Sequence, residues 1–214
     1  MSASMQPASM QPSDYFLNRF VAHKIALLTE CGAPELLARG PWLSRFVLMT
    51  AFCVKLPSDK RSYVFNFLRK TEGAIFAYKE ARNALLEYVT TPRTVISPYF
   101  RSLSNFETCI AYCFQGFQLL IKGSKQALYD TNDGSDFDRL RAIHYTAKHM
   151  DERIEHGEIP KDATAPIWIT NHDIEAIGKK AVPASLSFNE LADLLTSMSD
   201  LADKMANREP SSQP

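Results

Sequence analysis

The chain has 214 residues, of which 45% are hydrophobic, and its 24 basic and 24 acidic side chains cancel. This length and apolar content suffice for a packed core without disulfide or metal staples. The zero net charge argues against a protein that coats nucleic acids non-specifically, although a local basic patch stays compatible with it.

The two ends of the chain differ in composition from the rest. The start, MSASMQPASMQPS, lacks the charged and apolar regions of a secretory signal peptide. Residues 1–12 and 209–214 are small and polar with prolines, which predicts disordered tails around a single domain, residues 13–208. We therefore expect a cytoplasmic protein with free thiols, in which Cys109 and Cys113 are core residues.

The first half of the chain shows helical patterns throughout. Caps, stops and apolar periodicity predict helices over 14–31, 42–55 and 59–90, with a short helical turn at 35–39 between the first two. The segment from Trp42 is apolar nearly all round, which is typical of a buried helix. It is shorter than the ~20 apolar residues that a membrane span needs.

The second half predicts three more helices. One covers 97–122 and stops at Gly123, and a second covers 135–157. The last begins at Ser187, where Glu190 completes a capping box. Its apolar seam at near-heptad spacing favours packing against another helix of the chain, or of a second copy. The seam consists of Phe188, Leu191, Leu195, Met198, Leu201, Ala202 and Met205.

Residues 160–186 have no helical period. Pro166 to Thr170 is predicted as a short extended piece, and the rest as an ordered loop that packs Trp168 against the helices. The whole pattern predicts an all-α protein: a helical bundle of five to six helices with one long ordered loop before the last helix.

The segment 135–157, SDFDRLRAIHYTAKHMDERIEHG, holds three of the five histidines and is the best candidate for function. At about 100° per residue, it presents two opposite stripes. The polar stripe contains Arg141, His144, Tyr145, Lys148 and Glu152, and the predicted buried stripe contains Leu140, Ile143, Ala147, Met150 and Ile154. Such a polar stripe suits a phosphate or carboxylate, and His144 suits proton exchange near neutral pH.

Arg139 projects about 140° away from His144, close to the apolar stripe. An arginine there must pair with a carboxylate, such as Glu107 or Asp130, reach round to solvent, or face another subunit. A metal site is not expected, because His144 and His149 are five residues apart and do not point together. No cofactor is expected either, because the sequence lacks a glycine-rich phosphate loop.

An arginine followed by four to six residues and a histidine, on a late helix of an all-α bundle, resembles the motif of the HEPN superfamily. Here the motif is Arg139-Leu-Arg-Ala-Ile-His144. The neighbouring Lys148-His149, the PIWIT stretch and the capped last helix are similar to those of uncharacterised bacterial HEPN-like proteins, over residues 100–206. The resemblance implies a homodimer and, in its catalytic members, a metal-free ribonuclease site. By that analogy His144 is the general base, and Arg139 stabilises the phosphate.

Three functions follow from these patterns. The first is an HEPN-like protein that acts by association, as a homodimer or by binding an anionic or RNA partner through Arg141, Tyr145, Lys148 and His149. The second is an active ribonuclease of a toxin–antitoxin or defence system, with an antitoxin-like protein partner. The third is a non-catalytic adaptor, whose last helix would leave the seam at Leu191, Leu195, Met198 and Leu201 exposed.

Overall fold

A computed structural model provides the structure of the protein. It describes residues 25, 27–37, 39–52, 57–91, 95–130, 132–158, 166–177 and 184–207. The predictions for the two tails and for most of the first helix fall outside these residues.

Six α-helices and three short strands make up the described part of the chain. The helices are α1 Trp42–Phe52, α2 Ser58–Thr90, α3 Ser97–Ser124, α4 Asp136–Lys148, α5 Met150–Glu155 and α6 Phe188–Ala206. The strands are β1 Ile167–Ile169, β2 Asp173–Ala176 and β3 Ala184–Ser187. The predicted all-α class is confirmed.

The long helices α2 and α3 form the centre of the bundle. Their contact is aromatic at Tyr78 and Phe106, whose ring centroids lie 5.9 Å apart, edge to face. It is also polar, because the buried Ser102 hydroxyl donates to the Ala81 carbonyl at 2.8 Å. Helix α3 runs past Gly123, its predicted stop, and ends at Ser124, followed by Lys125 in the left-handed conformation (φ 58°).

Helix α6 packs inside this bundle. Its capping box is confirmed: the Glu190 N–H donates to the Ser187 hydroxyl at 3.2 Å, and the Glu190 carboxylate accepts from the Ser187 N–H at 2.9 Å. Phe188 stacks on Phe106 at 5.1 Å, and the Trp42 indole N–H donates to Asp203 at 2.7 Å, which fastens α1 to α6. The seam residues Leu191, Leu195 and Met198 are completely buried. The exposed seam that a recruiting last helix requires is therefore not present.

The region before α6 contains more structure than a loop. The three strands form an antiparallel sheet in the order β1-β2-β3. The register pairs Trp168 with Glu175, whose carboxylate accepts from the Trp168 indole N–H at 2.8 Å. The predicted extended piece at 166–170 is thus confirmed as β1, and Trp168 is buried as expected. Residues 160–165 and 178–183 of the predicted loop lie outside the described residues.

The segment that precedes α1 is not helical at residues 27–37, contrary to the predictions of a helix and a helical turn. Its backbone carbonyl and N–H groups form hydrogen bonds with other elements instead. The Arg82 guanidinium and the Tyr78 hydroxyl, both on α2, donate to the carbonyls of Ala33 and Pro34 at 2.9 Å. The Gly32 N–H donates to the Asn171 carbonyl at 2.8 Å. Contacts with distant elements therefore satisfy groups that a local helix would have paired.

Candidate functional site

The candidate segment begins and ends where its sequence predicts. The Ser135 hydroxyl accepts from the Asp138 N–H at 3.3 Å and caps α4, and Gly157 has a positive φ of 64° beyond α5. The prediction of one continuous helix is wrong at His149, whose φ of −110° and ψ of 36° separate α4 from α5. No proline or glycine marks this break in the sequence.

Arg139 is engaged within the chain. Its guanidinium donates to the Glu190 carboxylate and to the Gly134 carbonyl. The predicted carboxylate partner is thus present, but it belongs to the α6 capping box rather than being Glu107 or Asp130. The side chains of Arg139 and Glu190 are 31% and 38% exposed. This arginine therefore joins the start of α4 to the start of α6.

Glu190 receives hydrogen bonds from both sides of this junction. Partial burial alone would raise its pKa, but the hydrogen bonds from Ser187 and the charge of Arg139 outweigh it and hold the pKa of Glu190 below its ordinary value of 4.5. The carboxylate is therefore ionised at neutral pH and keeps the Arg139 guanidinium in place.

Arg141 is also neutralised locally. It donates to the Asp138 carboxylate at 2.7 Å and to the Asn132 side-chain oxygen at 3.1 Å. Both acceptors lie at or before the first turn of α4. The Arg141 end of the polar stripe consequently offers little unpaired positive charge to a partner.

His144 packs on α3. Its imidazole stacks on the Phe114 ring, with centroids 4.6 Å apart and planes 27° from parallel. Burial of the imidazole lowers the pKa of His144 below 6.5, and the nearby Lys148 and His149 lower it further. At neutral pH the ring is uncharged and can accept a proton. Among the described residues, no hydrogen bond or ring contact joins His144 to Arg139.

The other end of the polar stripe is open. Tyr145 is 43% exposed, and its ring centroid lies 5.8 Å from that of His144 and 6.1 Å from that of His149. The His149 Nδ1 lies 3.1 Å from the Glu152 carboxylate. Lys148 is exposed and has no hydrogen bond or ion pair in the described part of the chain. We call Tyr145, Lys148, His149 and Glu152 the Tyr145 surface.

The apolar stripe is only partly buried. Leu140 and Ile143 are completely buried, as predicted, but Met150 and Ile154 are 36% and 59% exposed. Their prediction as core residues is wrong, because the stripe leaves the core at His149, the residue after α4. Helix α5 has no buried residue.

The described residues do not place three His, Cys, Asp or Glu side chains where they could hold a metal ion together. Cys109 and Cys113 lie in the core, and burial raises the pKa of both thiols. They are free thiols, as is the partly buried Cys31. Cys53 lies outside the described residues.

Phe114 and Glu190 belong to this site. The sequence indicates Glu190 only as a member of the capping box, and no sequence pattern places Phe114 beside His144. Both contacts, Phe114 with His144 and Glu190 with Arg139, join residues that are far apart in the sequence. No local sequence pattern predicts such contacts.

No protein-family model matches the chain, and neither the curated proteins nor the solved structures give a match to it. Within the described residues, no helix has both the length and the apolar content needed to cross a membrane.

Proposed function

We propose that the protein acts by association, as a non-catalytic homodimer that pairs through the Tyr145 surface. The observation that carries this proposal is the order of charges along the exposed face of α4 and α5. Lys148 stands on the N-terminal side of this face, and Glu152 and Glu155 stand on the C-terminal side. A surface with this order is complementary to itself when two copies meet antiparallel.

A two-fold axis near residue 150 determines which charges of the two copies lie opposite each other. It places Lys148 of one copy opposite Glu152 of the second copy, and the reverse pair forms by symmetry. Tyr145 supplies a large exposed ring beside these charges, and tyrosine is among the residues that contribute most at protein interfaces. The homodimer implied by the HEPN resemblance of residues 100–206 agrees with this arrangement.

An RNA partner is less well supported by the charges. Arg139 and Arg141 are already paired with Glu190 and Asp138, and His144 is uncharged at neutral pH. Asp151, Glu152 and Glu155 add negative charge beside Lys148, which repels a phosphate backbone. The free thiols of the described cysteines suit the proposed cytoplasmic location.

Charge reversal tests the proposal. We expect the single variants Lys148→Glu and Glu152→Lys each to weaken the dimer, because each places like charges opposite each other. The double variant should restore it, because the pairs reform with exchanged signs. Lys122→Glu, an exposed lysine in the last turn of α3, is the matched control. Size-exclusion chromatography with light scattering measures the mass of each variant.

The same variants separate self-association from RNA binding. Fluorescence anisotropy with a labelled single-stranded RNA gives the affinity for RNA. If RNA binds, Glu152→Lys tightens it by removing a negative charge, whereas the dimer proposal predicts that this variant weakens assembly. A monomeric wild type whose RNA affinity rises in Glu152→Lys would replace the homodimer with an RNA-binding protein.

A metal-independent ribonuclease is the second candidate, and the lowered pKa of His144 favours it. An uncharged imidazole at neutral pH is in the form that a general base requires. Arg139 would first have to leave Glu190 to reach a phosphate. If overexpression arrests growth, His144→Ala relieves the arrest and the purified protein cuts RNA, the ribonuclease replaces the non-catalytic dimer, and an antitoxin-like protein becomes its expected partner.

A further inference from the structure

An apolar groove lies at the end of the bundle where α2 begins and where α3 and α6 end. Its volume is about 250 Å³. Apolar side chains from all three helices line it: Tyr63, Val64, Phe67, Leu119, Leu120 and Met205. Phe67 is almost completely buried, whereas Tyr63 is partly exposed. The groove therefore has an apolar floor and opens to solvent near Tyr63.

One lysine lines the groove, and three more adjoin its lining residues along the chain. Lys60 lines the groove itself, and Lys122, Lys125 and Lys204 are chain neighbours of lining residues on α3 and α6. None of these four lysines has an ion pair with a carboxylate among the described residues. These four exposed lysines place positive charge at the end of the bundle where the groove lies.

The helix termini account for only part of this charge. Lys122 and Lys204 lie in the last turns of α3 and α6, where a cation is favoured by the helix dipole. Lys60 lies in the first turn of α2, where the dipole disfavours a cation. Lys60 has no ion pair within the part of the chain that the structure describes, and it lies beside an apolar groove. It therefore matches a ligand that brings its own negative charge.

We propose that this groove binds a monomeric single-chain amphiphile with an anionic head, of the class of medium-chain carboxylates. The alkyl chain lies between α2, α3 and α6, and the carboxylate lies at Lys60. The volume sets the length of the chain. A methylene group occupies nearly the volume of a water molecule in the liquid, ~30 Å³, so the groove accommodates about eight methylene groups.

Isothermal titration calorimetry of the full-length protein tests the chain length. The probes are hexanoate, octanoate, decanoate and dodecanoate, each below its micelle concentration. We expect the affinity to rise about fourfold for each added methylene group up to about ten carbons and then to level off. An affinity that does not depend on chain length would overturn the proposal.

The role of the Lys60 charge is tested with two ligands of opposite head-group charge and with two lysine variants on the same helix. We expect decanoate to bind at least tenfold more tightly than decyltrimethylammonium, and Lys60→Glu to weaken decanoate at least fivefold. Lys79→Glu, on the same helix about five turns away, should leave the affinity unchanged. Lys60 is exposed, so its replacement should not disturb folding, and a thermal melt checks this. Equal affinity for the two head groups, or equal affinities in the two variants, would contradict a carboxylate site.

Lipid vesicles distinguish a free carboxylate ligand from the anionic head groups of a membrane. Vesicles of phosphatidylglycerol present anionic heads whose chains lie within a bilayer. We expect the protein to stay in the supernatant when such vesicles are sedimented, while decanoate still binds in solution. Co-sedimentation with vesicles, together with no binding of free decanoate, would assign the groove to a membrane surface and refute the monomeric ligand.

Discussion

Removing the Arg139 side chain is expected to destabilise the fold, because its guanidinium joins α4 to the α6 capping box. Arg139→Ala eliminates two charge-assisted hydrogen bonds, one to Glu190 and one to the Gly134 carbonyl. Such bonds contribute ~1.5–3 kcal/mol when they are buried, but this pair is about one-third exposed, and exposed ion pairs contribute ~0–1 kcal/mol. We therefore expect a loss of about 1–1.5 kcal/mol in the free energy of unfolding, which corresponds to about 3–5 °C in Tm for a domain of this size.

Urea unfolding at pH 7, followed by circular dichroism at 222 nm, measures this loss. Arg101→Ala is the matched control, since Arg101 also pairs with a glutamate, Glu87, but both side chains are about half exposed. We expect that control to change the free energy of unfolding by less than ~0.5 kcal/mol. If Arg139→Ala were as stable as the wild type, the Glu190 contact would not hold the guanidinium, and Arg139 would be available for another role.

Three further predictions concern other parts of the structure. Because the pKa of His144 is lower in the folded state than the ordinary 6.5, its contribution to stability is complete above pH 6.5 and is lost as the pH falls through the folded-state pKa. Urea melts between pH 7.5 and 5 should therefore show a smaller loss of stability in His144→Phe than in the wild type, and equal losses would contradict this. Ser187→Ala should lower the free energy of unfolding by ~1 kcal/mol through loss of the N-cap, and an unchanged urea midpoint would refute it. Gly32→Ala should lower it by ~1–3 kcal/mol, because the added Cβ would lie 2.5 Å from the Asn171 carbonyl oxygen; wild-type stability in a thermal melt would contradict this close contact.

The sequence predicts a helix correctly where a cap, a stop and a long apolar stripe agree. The capping box at Ser187 and Glu190 located the start of α6, and Ser135 and Gly157 bounded the candidate segment. These are local patterns that depend on neighbouring residues alone. They therefore survive the packing of the rest of the chain.

Of the sheet, the sequence predicts only β1, as the extended piece at 166–170. The strands have three or four residues each, too few for a period of two to be recognised. The break at His149 was also invisible, because neither proline nor glycine occurs there. Gly123, the predicted stop, lies one residue before the end of α3. An added Cβ there would lie 3.1 Å from the Tyr63 Cβ, so this glycine also allows the close contact between α2 and α3.

The candidate site was predictable as a list of residues but not as an arrangement. Helical periodicity placed Tyr145 and Lys148 on the polar stripe, and the structure leaves both exposed. The sequence could not show that Glu190, 51 positions away, would engage Arg139. Nor could it show that Phe114 would cover His144. Which cations stay available for a partner depends on such long-range contacts.

Sedimentation equilibrium of the unmodified protein over a range of concentrations measures self-association directly. A homodimer predicts a species of twice the chain mass of 24.1 kDa, with a dissociation constant that rises with salt, because the proposed contact pairs opposite charges. A mass of 24.1 kDa at every concentration and salt would contradict self-association through the Tyr145 surface.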